Sequence, residues 1–357
     1  MEDTPAARVM AEARAAAPGV ELESVPCAVC GADDPTALRW AGDQLSGKPG
    51  RFRLVRCRRC RLVYLNPRPA PRALAEWYFD GYEPHRPAGP FRPTRRGALR
   101  RWVGARAVPW YTRGVGFDPA AVRATLDRID DLPPYFVFGF VPTRRGGRVL
   151  DVGCGTGANL DAARRFGWET HGVEVSPAAA QVARETLGLN VVTGTLEAAA
   201  YPDEHFDVVA LSHVLEHLPD PVATLREVAR ILRPDGLVLL AVPNHRSLPA
   251  FVFRSYWFPW EVPRHLYHFS PTSLAALLDR VGALRLVRIN YVPVAAGVTM
   301  SWDYLCRDHP RLARALSSRT VARLGSIIAW TTALTGTGDS IVAYARKPPE
   351  GARVSRR

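Results

Sequence analysis

Three glycines spaced two apart, behind an aliphatic run that ends in an acid, constrain this chain more than any other feature. Arg148-Val149-Leu150-Asp151-Val152 reads as a short buried strand, and Gly153-Cys154-Gly155-Thr156-Gly157 as a tight turn opening a helix near Ala158. Glycine lets a ligand approach the backbone closely, and the free amides of a helix start favour an anionic group. A second strand beginning at Glu169 carries Glu174 at its carboxyl end, 17 residues past Gly157 (174 − 157). A carboxylate at that place accepts hydrogen bonds from vicinal ribose hydroxyls. The pattern predicts an α/β fold with a nucleoside-binding edge.

The turn alone does not separate nucleoside-binding families, because nicotinamide dehydrogenases carry G-x-G-x-x-G with the same acidic partner. Two later segments narrow the choice. Phe206-Asp207-Val208-Val209-Ala210-Leu211 reads as a fourth strand, and Leu232-Arg233-Pro234-Asp235-Gly236 as a turn into the strand Leu237 to Val242. In that order the pieces resemble the class I S-adenosylmethionine-dependent methyltransferases, motif by motif from Arg148 to Asn244 and more loosely to Lys347. The resemblance implies a Rossmann-like α/β fold with a seven-stranded, mostly parallel sheet, and S-adenosylmethionine as cofactor. It makes Asp151, Gly153, Cys154, Gly155, Gly157, Glu174, Val175, Thr195, Leu196, Ser212 and His213 the cofactor-binding residues. Many relatives place an aspartate where this chain has Thr195, with Glu197 two residues on.

Two C-x-x-C pairs, Cys27/Cys30 and Cys57/Cys60, suit a tetrahedral zinc site on two knuckles. Bound Zn²⁺ then has a structural role, replacing the core that a module of roughly 40 residues cannot bury. The module closes at Leu62 to Pro69 and is followed by Trp77-Tyr78-Phe79-Asp80-Gly81-Tyr82. That sequence resembles bacterial methyltransferases of small-molecule and sugar pathways that carry an N-terminal zinc-binding domain. The expected organisation is a tail over 1–20, a zinc ribbon over 21–68, and a Pro/Arg-rich connector and lid over 69–147. A methyltransferase core over 148–347 comes next, with an apolar helical insertion at about 301–335, and then a tail over 348–357.

The fourth strand runs into Ser212-His213-Val214-Leu215-Glu216-His217, at the carboxyl edge of the sheet where α/β folds bind ligands. The spacing of His213, Glu216 and His217 is similar to the E-x-x-E-H box of ubiquinone-biosynthesis O-methyltransferases, where a divalent metal can bind, with histidine for the first glutamate. The plainer reading is that Glu216 and His217 order the turn. Beyond the fifth strand, Phe251 to Trp260 is an aromatic run, and Val262 to Pro271 carries His265 and His268. A neutral imidazole near the transferred methyl can take the acceptor's proton, so His265, His268 and His217 are the candidate catalytic residues.

A small-molecule, sugar or lipid-like methyl acceptor fits this aromatic wall. The net charge of +13 suggests nucleic acid instead, but of the 47 basic residues only Lys48 and Lys347 are lysine. Arginine bias on that scale looks like the composition of a GC-rich genome, so charge is a poor witness. An RNA- or DNA-directed methyltransferase, gripping phosphates with the ribbon and arginines, is the alternative. The N-terminus lacks a secretory pattern, and the longest uncharged apolar stretch, Leu324 to Gly338, is 15 residues. A span needs about 18 to 20, so a cytoplasmic enzyme without a membrane span is expected. Dimerisation and peripheral membrane contact remain open to the insertion.

Overall fold

The computed structural model describes residues 5–78 and 146–349. Helix α1 (Pro5–Ala16) precedes β1 (Leu22–Glu23), β2 (Thr36–Gly42), β3 (Arg51–Arg56), β4 (Val63–Leu65), β5 (Arg68–Pro69) and α2 (Pro71–Leu74). Strands β2, β3 and β4 pair antiparallel, and each cysteine pair sits in a turn closed by Gly31 N–H to Cys27 O and Arg61 N–H to Cys57 O. Of the N-terminal stretch expected as a frayed helix or a loose tail, Pro5–Ala16 is helical, Ala13 and Ala17 are buried, and Ala17 joins the core of the cysteine module. Alanines four apart give a flat helical stripe that packs closely, which composition alone reads as low-complexity sequence.

The second unit runs β6 (Arg148–Val152), α3 (Ala158–Arg164), β7 (Glu169–Glu174), α4 (Pro177–Leu187), β8 (Asn190–Thr193), β9 (Phe206–Ser212), α5 (Pro221–Ile231) and β10 (Leu232–Pro243). It continues with α6 (Leu248–Phe253), β11 (Tyr267–His268), α7 (Pro271–Val281), β12 (Arg285–Val292), α8 (Ala295–Asp308), α9 (Pro310–Ala315), α10 (Ser318–Leu334) and β13 (Ser340–Arg346). Helix starts are sharp because Ser176, Asp220, Ser247 and Ser270 each cap with a side-chain oxygen and are followed by proline within the first turn.

Seven strands form one sheet in the order β12-β13-β10-β9-β6-β7-β8. Only β13 runs against its neighbours; β6 through β10 are parallel. Chain order reverses between β6 and β9, and the carboxyl ends of those strands open a crevice there. The near-continuous burial of β9 and β10 is that of central parallel strands covered on both faces.

The two units share a sheet. Strand β11 pairs antiparallel with β4, Tyr267 opposite Tyr64 and His268 opposite Val63, so the cysteine module's sheet is β11-β4-β3-β2. Of the expected connector, residues 79–145 lie outside the described residues. The helical insertion begins at Ala295 rather than near 301, because Ala-Ala-Gly permits a close approach: a Cβ on Gly297 would collide with the Asp339 carboxylate.

Candidate active site

The glycine turn lies at the carboxyl end of β6, beside the crevice. Gly153 and Gly157 have φ of +70° and +87°, and a Cβ on either would collide, with Val214 and Leu189 respectively. Gly155 lies between them and donates its N–H to Glu174 Oε2 at 2.8 Å, while Ser176 N–H donates to Oε1 at 2.8 Å. Glu174 is therefore locked at the end of β7, buried, with Val175 beside it 65% exposed. An apolar side chain so exposed at a sheet's carboxyl edge offers a flat contact for an aromatic ring.

Asp151 is 2% exposed and its Oδ1 has no hydrogen-bond partner among the described residues. Burial, with Glu174 nearby, pushes its carboxyl up to about 8. A cationic group brought into the crevice would relieve both conditions. Cys154 is buried under the turn, its thiol pushed up first by burial and then by Asp151 and Glu174. Thr195 is exposed and its Oγ1 accepts from Ala198 N–H at 3.3 Å, Leu196 is buried in the core, and Glu197 accepts from the Thr224 hydroxyl at 3.0 Å.

Ser212 ends β9, and His213 follows at φ +56° with its N–H on Ala241 O. The next turn is a 3-10 helix, Leu215–His217, and it buries Glu216 completely. Among the described residues, neither Glu216 oxygen accepts a hydrogen bond; His213 Nδ1 lies 3.3 Å from Oε1. Burial pushes the Glu216 carboxyl up, but His213, His265 and His217 more than reverse it, so it stays ionised.

His217 Nδ1 lies 3.1 Å from the Arg264 carbonyl and 3.0 Å from the Tyr78 hydroxyl, and His265 Nδ1 lies 2.8 Å from the Pro259 carbonyl. A carbonyl can only accept, so Nδ1 carries the proton in both rings and Nε2 keeps its lone pair. The rings meet edge to face at 4.6 Å, and burial pushes each down to about 4. One ligand atom from each of Glu216, His217 and His265 falls within 4.8 Å of the others, as do those of Cys27, Cys30, Cys57 and Cys60.

The structure thus brings His265 to His217 and Glu216, while the ring centre of His268 stands 6.4 Å from that of His265 on β11. Tyr78 was legible only as part of an aromatic segment. Arg264, read in the sequence as part of the substrate wall, is wholly buried; it is held by Asp43 Oδ1 and Oδ2 at 2.6 and 3.0 Å, by Glu261 Oε1 at 3.1 Å and by the Trp77 carbonyl at 3.1 Å.

Strand order, glycine turn and locked acid together make a Rossmann-like α/β domain. Residues 117–284 match a family model described as a methyltransferase domain. Among curated proteins, it is 33% identical over 184 residues to a ubiquinone biosynthesis O-methyltransferase of Parvibaculum lavamentivorans, covering 50% of this chain and 61% of that one. It is 35% identical over 143 residues to the protein of the same name in Alkalilimnicola ehrlichii, covering 38% of this chain and 58% of that one. The chain therefore spans about three fifths of the length of these relatives. Among solved structures, a phosphoethanolamine N-methyltransferase 2 of Haemonchus contortus aligns with TM-score 0.43 and 19% identity, covering 80% of this chain and 62% of that one. Among the described residues, no helix is long and apolar enough to cross a membrane.

Proposed function

We propose that this protein transfers a methyl group from S-adenosylmethionine to a hydroxyl oxygen of a small molecule. The observation that carries the reading is Glu174, fixed by two backbone N–H groups beside a turn in which a Cβ on Gly153 or Gly157 would collide with Val214 or Leu189. A carboxylate held this way accepts from ribose hydroxyls, and Asp151, with an unpartnered buried oxygen, suits the ammonium of the amino-acid portion. Exposed Val175 suits the adenine face. S-adenosylmethionine supplies an electrophilic methyl on a sulfonium that is already a good leaving group. The chain's own residues therefore position reactants, exclude water and take one proton.

His265 and His217 are the residues to take that proton. Both are neutral at physiological pH, each with Nδ1 on a carbonyl, and His265 Nε2 lies 3.4 Å from the Glu261 carboxylate. Glu216 stabilises the positive charge that develops on either ring. Oxygen as acceptor atom is favoured by the curated relatives' name, ubiquinone biosynthesis O-methyltransferase. The donor set Glu216, His217 and His265 also fits a divalent cation, which would lower the pKa of an acceptor hydroxyl. The four cysteines fit a structural zinc ion: Cys27–Cys60 and Cys30–Cys57 sulfurs lie 3.4 Å apart, and one sulfur from each of the four falls within 4.8 Å of the others.

Titration calorimetry with S-adenosylmethionine, followed by a screen of hydroxylated acceptors for release of S-adenosylhomocysteine, tests this function. Micromolar binding and turnover on a hydroxyl are expected. No binding of the nucleoside, or steeply salt-dependent retention of RNA or DNA instead, would reject it.

A further inference from the structure

The seam between cysteine module and core holds a second group of side chains that the methyl-transfer reading leaves unused. Its hub is Trp260, whose Nε1–H is satisfied by the Arg254 carbonyl at 2.7 Å. The Arg39 guanidinium, from β2, stacks over the indole with Cζ 4.1 Å from the ring centre. The His268 ring stands 4.8 Å away, centre to centre, and the His245 ring 6.5 Å.

Each of these three neighbours carries a buried nitrogen that lacks a partner: Arg39 Nη2, His245 Nε2 and His268 Nε2 have no hydrogen-bond partner among the described residues. His268 is 3% exposed. Buried polar groups are nearly always satisfied, so three unmet ones around a single indole need a physical reason. Charge supplies it. No described carboxylate pairs with Arg39; burial alone pushes its guanidinium down to about 10, and it stays charged. After burial, what acts on His268 is His265, His245 and Arg39, and what acts on His245 is Arg56 and Arg246. A water molecule could meet one or two of the nitrogens but would leave the guanidinium charge uncompensated. An oxyanion brought to this seam compensates the guanidinium charge and accepts from the donors around Trp260, a task for which guanidinium and imidazole are well suited.

We propose that Arg39, His245 and His268, gathered round Trp260, form a subsite for an oxyanion group, phosphate or carboxylate, on the methyl acceptor. The assignment to the acceptor rests on the proposed function; the oxyanion site itself does not. His268 stands 6.4 Å, ring centre to ring centre, from His265, the candidate base. An anionic tail held at Trp260 therefore leaves the rest of a small molecule within reach of the reacting crevice. Arg39 comes from the cysteine module and His245 and His268 from the core, so neither unit holds the subsite alone.

The test uses the full-length zinc-loaded protein and calorimetric titration at fixed ionic strength. The probes are inorganic phosphate and pyrophosphate in one arm, acetate and citrate in the other. Saturable one-site binding is expected, weakened at least tenfold by Arg39→Gln and by His245→Gln and unchanged by Arg319→Gln on α10. A stronger phosphate arm assigns a phosphoryl group to the acceptor, and a stronger carboxylate arm assigns a carboxylate. Melting curves and S-adenosylmethionine binding, measured on the same samples, report folding separately. Absence of saturable binding by the parent, or binding equally tight in both folded variants, overturns the subsite. If pyrophosphate binds and S-adenosylmethionine does not, the proposed function falls while the oxyanion site stands.

Discussion

Asp43 and Arg264 close a two-pronged ion pair, at 2.6 and 3.0 Å, with both side chains entirely out of solvent and 221 residues apart in sequence. Asp43 belongs to the cysteine module and Arg264 to the core, immediately before His265. A buried pair of this kind adds little over an apolar contact when complete, but it is severely destabilising when one member is removed. The pair therefore ties the module to the segment that carries His265.

Asp43→Asn should accordingly cost about 3–5 kcal/mol in denaturant melts, because it removes the two-pronged partner of a buried guanidinium and leaves it the Glu261 contact at 3.1 Å. Arg264→Met should cost a similar amount, and the double variant less than the sum of the two. Burial pushes the Asp43 carboxyl up, but hydrogen bonds from Arg264 and Ser46 outweigh it and hold the group below its ordinary 3.8. A depressed folded value gives stability that is present above 3.8 and lost as pH falls through the folded value. Additive effects in the double variant would show that the two side chains do not act as a pair.

Removing metal from the cysteines should reach the crevice as well. Strand β4 comes soon after the Cys57/Cys60 turn and pairs with β11, which carries His268. Metal analysis should find one zinc per chain. Stripping it with a chelator, or Cys57→Ser, should lower the melting temperature by several degrees, recovered in the parent by added Zn²⁺. An unchanged melt after complete metal loss would contradict a structural ion.

Glu174→Ala removes the acceptor for two backbone N–H groups and, on the proposed function, for the ribose. Affinity for S-adenosylmethionine should fall about 10- to 100-fold, the range of one to two charge-assisted hydrogen bonds. Titration calorimetry measures it directly. Affinity within twofold of the parent would place the nucleoside elsewhere.

The part of this molecule written locally is the part a reader of its sequence recovers. Gly153 and Gly157 announce a left-handed backbone and a close approach, Glu174 sits at a fixed distance beyond them, and Ser-Pro and Asp-Pro pairs mark helix starts. Strand β11 leaves no such trace: two residues have no periodicity, and their pairing with β4 depends on a partner on the other side of the molecule. The same holds for Arg264, an ordinary arginine until Asp43 is brought to it, and for Trp260, whose aromatic neighbours suggest a substrate wall while its pairing with Arg39 is invisible. His217 and His265 were each legible as candidates, but their contact is a product of folding.

That contact, with the burial around it, sets how the protein should respond to acid. His217, His265 and His245 are each pushed from 6.5 down to about 4, chiefly by burial, and burial pushes His268 well below 6.5 too. Between pH 6.5 and 4 the unfolded chain thus binds more protons at these sites than the folded one. Stability rises with pH across that window and is lost as pH falls through it. Melting temperature should be flat above pH 7 and drop steeply from 6.5 toward 4, less steeply in His245→Gln. Turnover should keep its neutral base down to the same region, with an acid limb near 4 to 5 in the absence of added divalent cations. An acid limb at 6.5 would mean that the proton is taken by a solvated imidazole and would remove His217 and His265 from the role.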